Sequence, residues 1–454
     1  MSLRLINIAR TALFTQRAAL EIIGHNTANV ETEGYVRQEP VLVAIPGAVT
    51  GEAGGGVRLA DIRLLRDEFL AAQTRFESGN LGQERALRAS LLQVEQLFTD
   101  VSQGGLAQRL EEMFDAWADL GLDPGSAACR AQVVERSEVA AQTIADRWQA
   151  LSDLRVEIDQ RLRDLVGRVN AIAREVAALN QQVGSVSEPS GRNDLMTRRD
   201  GLINELAELC GAEAIHMEGN VVDVLIGGRR LVEHAQVEEL QLVDDPTQPG
   251  LHLVALGGEA PPHGLRGELA GRLAARDEVI PAYLQHLDTL AQTLADAVNA
   301  QHRAGLDLAG NPAPELFEYD PTRPAASLRV RAEIVFDPTR LGAAQSTIVQ
   351  TDGTNALAIE DLRNTRMLSA GTATLSEYCA ELIAAIGIDA EAAQTRLDSR
   401  DLLVENLRAE YRNQAGVSLD EEALELIRYQ QAYTAASRLM SVALTMMDLV
   451  VQLK

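Results

Sequence analysis

The sequence predicts a mainly α-helical, elongated chain with a small β element. Its N- and C-terminal helices are expected to pair as a coiled coil around a helical-bundle middle. Three observations carry this expectation. Apolar residues at both ends recur at alternating three- and four-residue spacing, which holds one stripe on one face of a helix. Aromatics are only 4% of the chain, whereas Ala, Leu and Arg are frequent, a helix-forming composition. Short runs of strand-like period are concentrated between residues 212 and 256.

The first stripe is Ile6, Ala9, Leu13, Gln16, Leu20, Ile23, Thr27 and Val30, with no proline and a single glycine, Gly24. The last is Ala423, Leu426, Gln430, Tyr433, Ser437, Met440, Leu444, Met447 and Val451, flanked by Ala436, Leu439, Ala443, Met446, Val450 and Leu453. Two adjacent stripes form a face too wide for one partner helix. Amphipathic helices are commonly ordinary core helices. Chain ends, however, are usually the least regular part of a domain, and here they are the most regular. The two ends are therefore expected to pair and to keep apolar surface for neighbouring copies. The candidate assembly residues are Ile6, Leu13, Leu20, Ile23, Asn26, Asn29, Gly34 and Tyr35 at one end. At the other they are Leu426, Tyr433, Met440, Leu444, Met447 and Val451.

Between these ends the expected elements follow in order. The passage 25–38 reads as a helix end and turn, with Gly34 placed for a positive φ. An extended run spans 38–45, then a glycine-rich loop spans 47–56 without the Lys-Ser/Thr ending of a phosphate loop. Helices are expected over 67–98, 106–120 and 126–183, the last with the seam Leu162, Leu165, Val169, Ile172, Val176, Leu179 and Val183. A break at 184–191 precedes a helix from Asn193 to Leu209. Strand-like runs follow, with hairpin turns at Gly219-Asn220 and Gly227-Gly228. Residues 267–303 return to helix, 327–336 look extended, and helices are expected from Asn355, over 375–386, over 390–414 and to the end. The domain reading pairs 1–45 with 416–454 as the assembly part. It joins 46–210, 257–310 and 352–415 as the helical part, with 211–256 as a β-hairpin element and 311–351 as a remnant.

Composition excludes several functions. Sixty-six acidic against 41 basic side chains give a net charge of −25, and a surface of that sign does not suit nucleic acid. The terminal helices are slightly positive: Arg4, Arg10 and Arg17 face Glu21 at the start, and Arg428, Arg438 and Lys454 face Glu425 and Asp448 at the end. Cys129, Cys210 and Cys379 are odd in number and far apart, fitting neither a disulfide framework nor a zinc site; each is expected as a small buried hydrophobe. None of the seven histidines has ligand spacing and no Gly-x-Ser-x-Gly elbow occurs, so no catalytic residue, metal or cofactor is expected. No cleavable secretory signal and no apolar run of membrane-spanning length is found, which by itself points to the cytosol and to no membrane insertion.

The segment His25-Asn26-Thr27-Ala28-Asn29, followed by Thr32-Glu33-Gly34-Tyr35 and Gly34-Tyr35-Val36-Arg37-Gln38, resembles the N-terminal signature of bacterial flagellar axial proteins, and of the hook-associated protein 1 family in particular. Residues 54–70, Asn193 to Asp200, Asn299 to Asp307, Val417 to Glu422 and Tyr429 to Tyr433 are similar to the same family. That resemblance implies a structural protein joining hook to filament, exported through the flagellar type III apparatus rather than resident in the cytosol. It implies lateral copies of itself, hook protein, a second junction protein and an export chaperone as partners. The alternatives are another flagellar axial protein (the second junction protein or a hook protein) and a soluble coiled-coil scaffold. Longer relatives carry outer β-rich domains after the segment that matches Asn299 to Asp307; only 311–351 is available here, so those domains are expected to be absent or reduced to a strand or hairpin.

Overall fold

The computed structural model describes residues 2–32, 34–46, 54–99, 105–186, 188–259, 262–347, 349 and 351–452, with the backbone alone for Ser2, Leu3, Thr99, Val450 and Val451. Most of the expected loop over 47–56, Glu33 of the turn and Leu453 of the flanking stripe lie outside these residues.

The order begins with α1 (Ser2–Ala28), the ribbon β1 (Gln38–Ile45) and β2 (Gly56–Leu64), α2 (Glu68–Thr99), α3 (Leu106–Leu122), α4 (Ala127–Ser185) and α5 (Pro189–Cys210). Strands β3 (Glu213–His216), β4 (Val222–Ile226), β5 (Arg229–Glu233), β6 (Gln236–Val237), β7 (Leu240–Asp244) and β8 (His252–Leu256) follow. Then come α6 (Gly267–Ala274), a π turn at Ala275–Val279, α7 (Ile280–Arg303), β9 (Phe317–Glu318), α8 (Pro324–Ser327), β10 (Arg329–Val330) and α9 (Ala332–Phe336). The chain closes with α10 (Thr354–Glu360), α11 (Leu375–Ala415) and α12 (Leu419–Gln452).

Helix α4 is the spine. At 1.5 Å per residue its 59 residues reach about 88 Å. Ser126 caps its start by accepting from the Cys129 amide. Its inward stripe, from Val133 through Ile144, Leu151 and Ile158 to Val176, is buried against α3, α5, α7 and the strands. Helix α2 packs along α11, α5 and α6. Small residues let it approach: a Cβ on Gly82 would stand 2.2 Å from the Glu208 carbonyl oxygen. Strands β3 to β6 form one antiparallel meander and β7–β8 a separate hairpin. Both glycine turns take positive φ, at Gly219 with Asn220 and at Gly227 with Gly228, as hairpin turns require.

One device joins helices to extended segments four times. A buried asparagine on a helix donates its amide to the carbonyl, and accepts from the amide, of a single residue on the neighbouring strand. Asn170 holds Leu240 (2.8 and 2.9 Å), Asn180 holds Val222 (2.7 and 3.2 Å), Asn299 holds Phe317 (2.9 and 2.8 Å) and Asn26 holds Gln38 (2.9 and 3.0 Å). Each pair satisfies two strand groups that the helix would otherwise bury unpaired.

Four departures from the sequence reading have physical reasons. Residues 56–64 form β2, paired antiparallel with β1 around a bulge at Val41/Leu42, so the ribbon is two-stranded. Residues 332–336 are helical, because Arg329–Val330 alone finds a strand partner, in β9. Helix α11 runs unbroken through Gly387, with Ile386 and Ala390 holding the flanking turns in the core. Helix α5 starts at Pro189, which suits the first helical turn, so the break after α4 is short. Residues 311–347 carry only the two-residue β9–β10 pair and short helices, packed into the main core through Leu316, Phe317, Val330, Ile334 and Leu341. The outer β region is thus reduced among the described residues.

Candidate assembly interface

The two chain ends meet at a polar joint below a helical pair. Helix α1 ends at Ala28, and the chain turns through hydrogen bonds from the Thr32 amide to the Asn29 carbonyl and from the Tyr35 amide to the Thr32 carbonyl. Gly34 takes φ +75°, a conformation that glycine adopts without strain. The turn places Tyr35 under α1, where its hydroxyl donates to Asn26 Oδ1 at 2.9 Å and lies 2.9 Å from His25 Nδ1. Asn26, 1% exposed, also donates to Glu422 Oε2 at 3.1 Å. Arg37 donates to Glu422 (2.6 Å) and Glu421 (2.8 Å) in the first turn of α12, and its amide donates to the Ala415 carbonyl at the end of α11. Gln38 reaches the body, donating to Asp194 Oδ1 at 3.2 Å, while Asn193 donates to the Ile62 carbonyl.

Three stretches far apart in sequence, 25–38, 193–194 and 421–422, therefore form one knot. The joint holds charge in a dry place: the Glu422 side chain is 2% exposed, and it is balanced by the Arg37 guanidinium and the Asn26 amide. Burial, with the Asp194 and Glu422 carboxylates nearby, pushes the Tyr35 phenol well above its ordinary pKa, so it remains a hydrogen-bond donor across the working range.

Above the joint α1 and α12 pack along each other, and the β1–β2 ribbon lies on α1. Among the described residues the buried ones of α12 are Glu422, Tyr429, Ala436 and Ala443, a strict seven-residue repeat. The packed line thus runs between the two stripes named from the sequence. Ala436 and Ala443 of the flanking stripe are buried, but Leu439 and Met446 of that stripe face water, and Leu426 and Met440 of the first-named stripe are half-buried. Of the sequence-named residues, Ile23 and Asn26 are buried, and Ile6, Leu13, Leu20, Asn29, Tyr35, Leu426 and Met440 are half-buried. Gly34, Tyr433, Leu444 and Met447 are exposed, with Leu444 at 48%. Val451 is in the last turn of α12, and its side chain is outside the described residues. Leu424, Ile427, Leu439, Val442, Met446 and Leu449 extend the open apolar surface of α12.

The chemistry of the site is packing and hydrogen bonding. Among the described residues no three or more His, Cys, Asp or Glu side chains gather as a metal site needs, and no helix is long and apolar enough to cross a membrane. Cys210 and Cys379 are buried and their thiols are pushed up to about 12 by that burial, while Cys129 is half-buried. The Arg37–Glu421/Glu422 contacts, the second strand of the ribbon and the buried asparagines were not singled out by periodicity, which reports apolar faces and is silent on polar partners far away in sequence.

Comparison with known proteins gives a consistent picture. A family profile described as "Flagellar hook-associated protein FlgK helical domain" matches residues 91–317, half of the chain. Profiles described as "Flagella basal body rod protein" and "Flagellar basal body rod FlgEFG protein C-terminal" match residues 6–35 and 409–453. Flagellar hook-associated protein 1 of Bacillus subtilis is 25% identical, over 98% of this chain and 97% of its own. Its counterpart from Salmonella typhimurium is 23% identical, over 99% of this chain and 100% of its own. The solved structure of the flagellar hook junction protein FlgK from Burkholderia pseudomallei has the same fold, with a TM-score of 0.67 at 16% identity, covering 76% of this chain and 100% of that one.

Proposed function

The chain belongs to the flagellar hook-associated protein FlgK family and has a structural role at the hook–filament junction of the bacterial flagellum; we propose that it polymerises there through the outward faces of α1 and α12. The observation that carries this reading is the apolar ridge of α12, from Leu424 to Leu449, left open after α12 has paired with α1. Fully burying one such side chain contributes about 1.5–3 kcal/mol, so a handful per subunit outweighs the loss of freedom on association. Ile6, Leu13, Leu20 and Ile23, with Leu426, Tyr433, Met440, Leu444, Met447 and Val451, are the residues we assign to that packing. Asn26, Asn29, Gly34 and Tyr35 set the angle at which the paired helices leave the body.

In this reading residues 1–45 and 416–454 form the assembly part, and the helical body with its 211–256 strands and 311–351 remnant faces outward. Lateral copies of the same chain, hook protein and a second junction protein are the partners in the assembled state, and an export chaperone is the partner before it. The protein acts outside the cell after passage through the flagellar type III apparatus, and it has no enzymatic activity. Deleting 423–454 in a flagellated host is expected to leave hooks without filaments and unpolymerised flagellin in the medium. Working filaments on those cells would overturn the proposal.

A further inference from the structure

Where α1, β1 and α12 converge, the surface carries a groove of about 440 Å³ with an apolar floor of Ile23, Leu42 and Tyr429 and the exposed Leu424 at its edge. Its walls hold four carboxylates, Glu39 and Glu425 among them, against the guanidiniums Arg37 and Arg428, with Arg63 bonded to Glu39 from outside, which leaves an excess of one negative charge. On the same helical pair one large apolar side chain of α1 points the other way. Phe14 is 66% exposed, and Asn7, Arg10, Arg17 and Glu21 share its outward face. Nine residues separate Phe14 from Ile23, which at 100° per residue is half a turn and at 1.5 Å per residue is about 14 Å along the axis. The molecule therefore presents a knob with excess positive charge on one side and an acidic apolar groove on the other.

We infer that Phe14 of one copy seats in the groove between α1, β1 and α12 of the next, with Arg10 and Arg17 against its acidic wall. The inference rests on the assembly reading above and adds which surface meets which. Knob and groove lie on different faces, so the contact is head-to-tail, and repeating it builds a ring or a helical zone rather than a closed dimer. The stagger of about 14 Å sets neighbouring copies at different heights along the assembly axis. Because the charges are near the surface, the contact weakens as salt rises.

The test uses the full chain carrying Phe14→Cys and Leu424→Cys, replacing the native copy in a flagellated host. Mild oxidation of isolated hook–filament structures is expected to give a covalent ladder of this chain, absent with either single variant. Filaments that assemble yet yield only monomer overturn the knob-and-groove contact and leave the assembly reading standing, which the 423–454 deletion tests separately. A charge swap needs no cysteine. Arg10→Glu is expected to lower filament number per cell severalfold, and adding Glu425→Arg to restore it. An Arg10→Glu chain that assembles normally, or a double variant with no restoration, counts against the contact.

Discussion

Asn26 holds four groups with one amide: the Gln38 carbonyl and amide, the Glu422 carboxylate and the Tyr35 hydroxyl. Asn29, three residues on, donates to the His25 carbonyl and accepts from the exposed Thr32 hydroxyl. The two asparagines of one motif thus differ in consequence. Leaving a buried polar group unpaired costs about 1–3 kcal/mol, so Asn26→Ala is expected to lose roughly 3 kcal/mol in urea unfolding and Asn29→Ala less than about 1. Equal losses would show that the joint does not depend on the buried amide. His302 gives a second residue-scale expectation. It is fully buried between the Pro314 carbonyl, to which Nδ1–H donates, and the Gly342 amide, from which Nε2 accepts. Burial pushes the imidazole down to about 4, so the unfolded chain, near 6.5, binds the proton more readily. Stability from this residue is complete above pH 6.5 and is lost as pH falls toward 4, by roughly 3 kcal/mol. Denaturant midpoints between pH 7 and 4.5 should fall less steeply for His302→Gln than for the native chain; parallel slopes would assign the acid sensitivity elsewhere.

Helices with long apolar repeats were legible from spacing alone: α1, α2, α3 and α4 lie within a few residues of their expected bounds. The errors fall where a local signal and a tertiary one disagree. Residues 57–64 were assigned no element, because their apolar positions slip by one between Leu59 and Ile62, and only pairing with β1 across the bulge at Val41/Leu42 identifies the strand. Gly387 made α11 read as two helices. In the structure it is half-buried inside a continuous helix, and a Cβ there would touch nothing within 4 Å. Glycine in such a place lowers helix stability, so Gly387→Ala is expected to raise thermal stability by about 0.5–1 kcal/mol. A decrease would mean that the helix bends there in solution. For the candidate site, the seam residues of both ends were read from the pattern. Which line of α12 is packed was not, because it takes Ala436 and Ala443 from one stripe and Leu426 and Met440 from the other.

At the scale of the molecule, stability is unevenly distributed. The body shares one continuous core from α2 through α11, with Trp117, Phe114 and Phe317 fully enclosed. The terminal pair has a separate cluster of three buried residues, Ala19, Ile23 and Tyr429, with Leu20, Leu42 and Leu426 beside it. Toward the tip, among the described residues, only Ala9, Ala436 and Ala443 are apolar and buried on these two helices, while Leu444, Met446 and Leu449 face water. A helix without a partner over most of its apolar face is marginal in water, and two such helices joined by alanines gain little from each other. The joint at Asn26 and Arg37 is therefore expected to stay closed in the lone subunit while the tip opens and closes. Amide hydrogen exchange should be fast for residues 4–14 and 434–449 in the monomer, slow in the body, and slow at both ends once copies assemble. Uniform protection of the monomer would mean that the ends are already complete without neighbours, and the driving force for polymerisation would then have to come from the body.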